Sequence, residues 1–316
     1  MARYLGRRLL RSAVTLFIIV TIVFALLRLM PIEGYFQNFE KLTHAQIQAG
    51  LLQLGLKDPL PTQLLRFWQG VFRGDWGESH KYRVGVPVLD IIAEKAPVSL
   101  ALGLAALGIA LLVGLPLGVF MARSSRSRFQ IGDRLGTIFV VVIQAVPAAI
   151  YHLLIQFYGS KLPGLSMFFE GDSPVTWALP ILSLSLGNIA YYAMWLRRYM
   201  VDESNKDYVR LARAKGVSGA RISGVHIFRN AFVPLAQFIP TSVILTLMGS
   251  LYVESLYSIP GMGGLLVIAI QNQDNTLVQA LVLIYAAISI LGLLAGDLLM
   301  ALLDPRIALG GKEGGR

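Results

Sequence analysis

The sequence predicts an all-α integral membrane protein with six transmembrane helices. Of its 316 residues, 55% are hydrophobic and only 15% are charged, whereas soluble domains carry about 25% charged residues. The mean hydropathy of +0.62 also excludes an intrinsically disordered chain. Six apolar stretches are long enough to cross a hydrocarbon core of about 30 Å, which needs about 20 residues of helix. They lie at about 9–29, 98–122, 135–158, 177–196, 231–252 and 279–303.

The first stretch is preceded by basic residues, as in a secretory signal peptide. It continues to Met30 without a small-residue cleavage site, so we expect it to be retained as the first span. An even number of crossings places both termini on one side of the membrane. Most of the 28 basic residues fall in the segments on that side, which are 1–11, 123–134, 197–229 and 306–316. Because cytoplasmic loops are rich in Lys and Arg, both termini are predicted to be cytoplasmic.

Residues 31–95 form a segment far longer than the usual connection between two helices, so the segment must have structure of its own. Thr43 and Gln46 have the spacing of a capping box, and Pro61 suits the first residue of a second helix that ends near Gly74. The apolar face of this second helix is formed by Leu64, Trp68, Val71 and Phe72. The face predicts a helical cap resting on the outer membrane surface or a docking surface for an extracytoplasmic partner, and the two are compatible.

The stretch 197–230 is rich in basic residues and is predicted to contain a short amphipathic helix. Ser204 and Asp207 have the S-x-x-D spacing of a helix start, and Gly216 suits the left-handed position that ends a helix. The apolar face consists of Tyr208, Leu211 and Ala212, and the flanking basic residues are Arg210, Arg213 and Lys215. Two interpretations are open: an interfacial helix attracted to anionic lipid, or a peg that fits a groove in a cytoplasmic protein.

The sequence lacks the residues and motifs of several kinds of catalytic and metal site. The chain has no cysteine, and its histidines lack the spacing of metal ligands, so we predict no metal site and no bound cofactor. It also lacks a Walker A sequence, a G-x-S-x-G elbow and an H-E-x-x-H helix, so the chain is not expected to be an enzyme. The basic residues are spread over several segments and form no single stripe, which argues against a nucleic-acid partner.

Polar residues at membrane depth are the remaining candidates for function, because burying them without partners is costly. Four are predicted as possible lining of a transport pathway: Gln144, Asn188, Gln237 and Glu254. Each also suits a hydrogen bond between helices, and this alternative stays open. Two glycine pairs, Gly114 with Gly118 and Gly292 with Gly296, predict close helix packing. Together these features favour a transporter or channel over a simple anchor.

Five stretches, in order along the chain, resemble one family, the membrane-spanning permease subunits of peptide/nickel-type ABC importers. The stretch 208–216, YVRLARAKG, followed by 226–234, HIFRNAFVP, is similar to the coupling loop of that family. The Glu-Ala-Ala triplet of the general importer pattern is replaced here by Arg210, Leu211 and Ala212, which shifts the docking chemistry toward positive charge. The other similar stretches are 6–31, 54–63 with 74–79, 253–263 with 277–279, and 304–306.

The resemblance implies a domain organisation as well as a fold of the ABC importer permease type. Residues 1–30 would be a cytoplasmic N-terminus and the first span, and 31–95 an extracytoplasmic helical insertion between spans 1 and 2. Residues 96–303 would be the permease core, including the coupling loop 197–230, and 304–316 a cytoplasmic tail. The expected location is the bacterial or archaeal cytoplasmic membrane, where the lipid bilayer surrounds the chain.

The resemblance further implies three kinds of protein partner: a second homologous permease subunit, two ATP-binding cassette ATPase subunits and an extracytoplasmic solute-binding protein. ATP and magnesium would be used by the ATPases, and this chain would bind neither. The residues implied to dock on an ATPase are Asp207, Tyr208, Arg210, Leu211, Ala212, Arg213, Lys215 and Gly216, with Tyr208, Leu211 and Ala212 on the docked face.

Peptides are the expected solute, with nickel complexes or oligosaccharides as alternatives. The rival from another class is an ion-coupled secondary transporter that uses Glu254 or Asp297. Such a transporter is expected to contain inverted repeats around a charge at the membrane midplane. No such repeat is visible in the sequence.

Overall fold

The described part of the chain is all-helical, as the sequence predicts. The computed structural model describes residues 2–29, 31–36, 39–171, 173–245 and 250–303. Within these ranges the only β-type pairing is an isolated bridge between Glu78 and Pro87. The predicted tail, 304–316, lies outside the described residues.

The described residues contain fourteen α-helices. The first seven are α1 (Ala2–Arg28), α2 (His44–Gln53), α3 (Leu60–Arg73), α4 (Val88–Ser124), α5 (Ile131–Ala145), α6 (Ala148–Gly159) and α7 (Ala178–Glu203). The next seven are α8 (Asp207–Ala214), α9 (Gly219–Arg221), α10 (Phe228–Ala236), α11 (Phe238–Leu245), α12 (Leu251–Leu256), α13 (Met262–Gln271) and α14 (Asn275–Leu303). A π-helical turn, Ile222–Ile227, joins α9 to α10.

Four of the predicted spans are confirmed as single apolar helices. Among the described residues, the helical segments long and apolar enough to cross a membrane are Leu10–Arg28, Val88–Ser124, Pro174–Glu203 and Asn275–Gly296. The second of these begins at Val88, inside the segment 31–95 that was expected to lie outside the membrane. The short apolar helix α13 was not predicted as a separate element.

The third predicted span, 135–158, is not one straight helix. It consists of α5 and α6, which meet at an angle of 102°. Val146 between them is extended, with φ −79° and ψ 128°, because a residue that precedes a proline is driven out of the helical region. Pro147 also has no N–H to continue the helix.

The two outer ends of this bent pair contact opposite ends of α7. Arg197 donates hydrogen bonds from its guanidinium to the buried carboxylate of Asp133, near the start of α5. At the other end, Gly159 of α6 lies against Leu179 near the start of α7. The start of α5 therefore lies beside the end of α7, and the end of α6 lies beside the start of α7.

The fifth predicted span, 231–252, is wrong as a continuous helix. In the described residues it is divided into α10 and α11, which are interrupted at Gln237. Pro240 explains the interruption, because its ring clashes with the carbonyl of Ala236 and it has no N–H to bond that carbonyl. Positions 246–249 lie outside the described residues.

Both predicted glycine pairs are confirmed as close helix contacts. A β-carbon at Gly114 would lie 2.9 Å from the carbonyl oxygen of Ile189, and one at Gly118 would lie 2.8 Å from that of Ala193. The increasing numbers on both helices show that α4 and α7 are parallel. On α14, Gly292 and Gly296 lie against Thr241 and Gln237, so α14 is antiparallel to the α10–α11 pair.

The segment between α1 and α4 contains the helices that the sequence predicts. The capping box is present, since the Gln46 N–H donates to Thr43 Oγ1 and the Thr43 N–H donates to Gln46 Oε1 at 2.8 Å. Gly74, at φ 78°, ends α3 in the left-handed region. Pro61 is the second residue of α3 instead of the first, because the helix begins at Leu60.

A buried carboxylate fastens this segment to the loop before α14. Asp274 accepts hydrogen bonds from Ser79 Oγ at 2.6 Å and from the N–H groups of Lys81 and Tyr82, each at 3.1 Å. It also accepts one from the N–H of Leu277 at 3.3 Å, at the start of α14. These bonds position residues 79–82 against the helices that follow α12.

The same carboxylate predicts how stability depends on pH. Burial opposes the ionisation of Asp274, but its hydrogen bonds outweigh burial and lower the pKa below the ordinary value of 3.8. The folded state therefore binds this proton less readily than the unfolded state, and the group stabilises the fold at pH values above 3.8. That contribution is lost as the pH falls through the lowered pKa.

We therefore expect the difference in unfolding temperature between the native subunit and Asp274→Asn to be largest at neutral pH and to shrink below the ordinary pKa of 3.8. Thermal unfolding in one detergent across a pH series measures this difference. A constant difference across the series would contradict the assignment.

Candidate functional site: a short basic helix and a central cavity

The short helix α8 begins later than the sequence suggests. Ser204 does not cap it, because the Ser204 hydroxyl donates to the Val201 carbonyl at 2.6 Å and so belongs to the last turn of α7. Lys206 precedes the first helical residue, Asp207. The carboxylate in this first turn suits the positive end of the helix dipole.

Gly216 ends α8 as predicted. Its φ of 74° lies in the left-handed region. The Gly216 N–H donates to the Arg213 carbonyl at 3.0 Å, and the Val217 N–H donates to the Ala212 carbonyl at 3.1 Å. This pair of bonds is a Schellman motif, which fixes the direction in which the chain leaves the helix.

Gly216→Val is expected to loosen this end of α8, because a side chain in the left-handed region costs about 1–2 kcal/mol. Nothing lies within 4 Å of a β-carbon at Gly216, so the cost comes from the backbone alone. Such a cost increases the fraction of molecules in which this end of α8 is unfolded about 5- to 30-fold. Trypsin cleavage after Arg213 or Lys215 should accelerate by the same factor. Gly216→Asn is the matched control, because Asn tolerates this conformation. Equal cleavage rates for Val and Asn would refute the argument.

One side of α8 packs against its own chain. Val209 is fully buried, and Tyr208 and Ala212 are half-buried against the cluster that includes Ile222 and Ile227 of the π-helical turn. The Tyr208 hydroxyl donates to Glu203 Oε2 at 2.7 Å. Two of the three residues expected on the docked face are therefore engaged within the subunit, a contact that the sequence did not predict.

The opposite side of α8 is open and mostly charged. Leu211 is 57% exposed, and the exposed charged residues around it are Asp207, Arg210, Arg213 and Lys215. Arg210 Nη1 lies 3.4 Å from Asp207 Oδ1, with both side chains in solvent, so this ion pair contributes little to stability. The helix thus presents one large apolar side chain surrounded by charge.

A second candidate site is a cavity of about 250 Å³ between α4, α7, α11 and the residues around α12. It brings together two of the four predicted lining residues, Asn188 and Glu254. The other polar residues of its wall are Ser99, Ser242 and Ser250. The Asn188 side chain donates to the Leu184 carbonyl of its own helix at 3.1 Å. Ser99 and Ser250 were not predicted from the sequence.

The other two predicted lining residues are not part of this wall. Gln144 is exposed near the end of α5, close to the bend at Pro147. Gln237 is half-buried between α10 and α11, and its backbone lies beside Gly296 of α14. Their assignment to a pathway stays a prediction.

Glu254 is fully buried and accepts hydrogen bonds from several elements. Ser99 Oγ of α4 donates to it at 2.8 Å, the Ser250 N–H at 3.0 Å and the Gly263 N–H at 2.8 Å. Ser99 Oγ in turn accepts the Met262 N–H at 2.8 Å. The carboxylate therefore lies at the positive N-terminus of α13 and ties it to α4 and α12.

These features define a class: a helical membrane protein with closely packed spans, a polar cavity among them, and a short basic helix with one exposed side. The chain belongs to the family of binding-protein-dependent transport system inner membrane components. The model of that family matches residues 114–309. A second model, for the N-terminal part of such membrane components, matches residues 1–103.

Individual relatives match over nearly the whole chain. The oligopeptide transport system permease protein OppB of Haemophilus influenzae is 30% identical over 97% of this chain and 99% of its own length. The dipeptide transport system permease protein DppB of Bacillus subtilis is 34% identical over 98% and 99%, respectively. The DppB protein of Lactococcus lactis is 32% identical over 98% and 100%.

Proposed function

We propose that this chain is the permease subunit of an ATP-driven ABC importer for peptides and forms half of the translocation pathway. The observation that carries the proposal is the full-length similarity to permeases named for oligopeptides and dipeptides, at 30 to 34% identity. The second half of the pathway comes from a homologous permease subunit. A solute-binding protein delivers the peptide, and two ATPase subunits use ATP and magnesium.

The proposed topology has six crossings with both termini in the cytoplasm. The packing supports it: α4 and α7 are parallel, and the α10–α11 pair is antiparallel to α14. The outer ends of the α5–α6 pair contact opposite ends of α7, so this pair leads from the end of α4 to the start of α7. Alternating directions are what successive crossings require. The basic residues at 1–11, 123–134 and 197–229 then lie in the cytoplasm, and residues 31–87 form the helical insertion on the extracytoplasmic side.

In this topology α8 is the contact with an ATPase subunit. Leu211 enters an apolar pocket of the ATPase, and Arg210, Arg213 and Lys215 contact acidic or polar groups at its rim. Tyr208 and Ala212 hold the helix to the body of the permease, so that movement of the ATPase reaches the spans. Asp207 and Gly216 fix the two ends of the helix.

The cavity at Asn188 and Glu254 is proposed as part of the pathway. Glu254 positions the wall, since its hydrogen bonds are all directed into the subunit, and Asn188 is the polar side chain left to face a peptide. Gln144 and Gln237 stay proposed lining residues further along the same path. The pathway opens alternately to each side as the two permeases change their packing.

The test is uptake by vesicles that contain both permeases, both ATPases and the binding protein. Labelled dipeptides and longer peptides should accumulate only with internal ATP and with the binding protein present. If unlabelled nickel complexes or oligosaccharides compete for uptake and unlabelled peptides do not, the solute is not a peptide. Uptake that survives ATP depletion and collapses with the proton gradient would overturn the proposed mechanism.

A further inference from the structure

The helix α3 packs against α1 to a point well away from the Arg28 end of that helix. Its Trp68 stacks on Phe17 of α1, with ring centroids 5.4 Å apart, and its Phe67 lies 5.5 Å from Phe24. Phe17 precedes the charged end of the span, Arg28, by 11 residues, which is about 16 Å of helix. Half of the hydrocarbon core is about 15 Å thick. The aromatic contacts of α3 therefore reach the depth of one leaflet.

The free side of α3 is apolar at this depth. Phe72, which is 83% exposed, stacks on Trp68 with ring centroids 5.9 Å apart. Leu65, on the same side, is 60% exposed. These side chains continue the exposed apolar surface of α1, which includes Val14, Phe17, Ile18, Ile22 and Leu26.

The polar side of α3 faces a cavity. Gln63, Arg66 and Gly70 line a cavity of about 280 Å³ whose other residues include Arg28 and His80. Arg66 also forms an ion pair with Asp58 of the preceding loop. The helix therefore separates an apolar side, continuous with the span, from a polar side at the charged end of the span.

We propose that α3 is immersed in the leaflet at the Arg28 end of α1, with Leu65 and Phe72 in contact with lipid acyl chains. The occupant of this apolar face is phospholipid hydrocarbon. Two observations select it: the face continues the exposed apolar surface of α1, a helix long and apolar enough to cross a membrane, and its aromatic contacts reach one leaflet deep from Arg28. The inserted helix anchors residues 31–87 to the membrane beside the pathway, which goes beyond the proposed transport function.

The absence of cysteine allows a direct test with single-cysteine variants of the full chain. Phe72→Cys, Arg66→Cys and Leu112→Cys carry a nitroxide label in the complete importer, in vesicles of phosphatidylethanolamine and phosphatidylglycerol. Leu112 of α4, which is 76% exposed, is the lipid reference. Arg66, on the other side of α3, is the matched control. All three residues are exposed, so the substitutions should leave the fold intact.

Relaxation by oxygen, which concentrates in lipid, is compared with relaxation by a water-soluble nickel chelate. The label at Phe72 is expected to resemble that at Leu112, with an oxygen-to-nickel ratio several-fold higher than at Arg66. A ratio equal to that at Arg66 would place the face in water and overturn the proposal. A label at Phe72 shielded from both reagents would overturn it as well, because a protein partner would then cover the face.

Discussion

Glu254→Ala is expected to destabilise the subunit more than any substitution of an exposed residue. The change leaves Ser99 Oγ and the N–H groups of Ser250 and Gly263 without their acceptor. Each buried group left unpaired costs about 1–3 kcal/mol, and whole proteins are stable by only about 5–15 kcal/mol. We expect a large fall in the unfolding temperature in detergent and a low yield of monodisperse subunit.

Glu254→Gln is the matched control for this prediction. It keeps the shape and one acceptor oxygen, so its unfolding temperature should lie between those of the native chain and Glu254→Ala. Ser99→Ala should also be destabilising, because it removes a donor to the carboxylate and the acceptor of the Met262 N–H. If Glu254→Ala unfolds at the native temperature, the carboxylate does not tie these helices together.

Leu211→Asp is expected to abolish most ATP-dependent uptake without unfolding the permease. Leu211 is largely exposed, so the substitution leaves the interior of the subunit unchanged. Burial of a leucine in an interface contributes about 1.5–3 kcal/mol, which corresponds to about 10- to 150-fold in affinity. Copurification of the ATPases with the permease and the rate of peptide uptake should fall together.

Two variants sharpen this second prediction. Leu211→Met keeps the apolar volume and should keep nearly native uptake. Ala212→Asp places a charge against the cluster around Ile222 and Ile227, so it should loosen α8 and increase its cleavage by trypsin. Native copurification and uptake in Leu211→Asp would show that the ATPase contacts another part of the chain.

The features that sequence predicts well here are those decided by neighbouring residues. The capping box at Thr43 and the left-handed Gly216 depend on the chemistry of a single turn, and both are present. Ser204 shows the limit of this reasoning. Its hydroxyl could accept a hydrogen bond as the cap of α8 or donate one within the last turn of α7. In the structure it donates to the Val201 carbonyl at the end of α7.

The features that sequence could not supply depend on distant partners. Glu254 was noticed as a polar residue near a span, but its donor Ser99 is 155 positions away. Ser79 and Asp274 are 195 positions apart and carry no joint pattern. Pro147 is visible in the sequence as a helix breaker, but the 102° angle between α5 and α6 cannot be derived from that residue alone.

The parallel contact of α4 and α7 has a mechanical consequence. Gly114 and Gly118 bring the two backbones so close that neither helix can slide past the other without a clash. The 26 residues of α7 form a lever arm of about 39 Å. One end of this arm leads into α8, and the other lies beside the α4 turn that carries Ser99. In the proposed mechanism, a push on α8 would therefore reach the residues around Glu254 as a rotation of the α4–α7 pair.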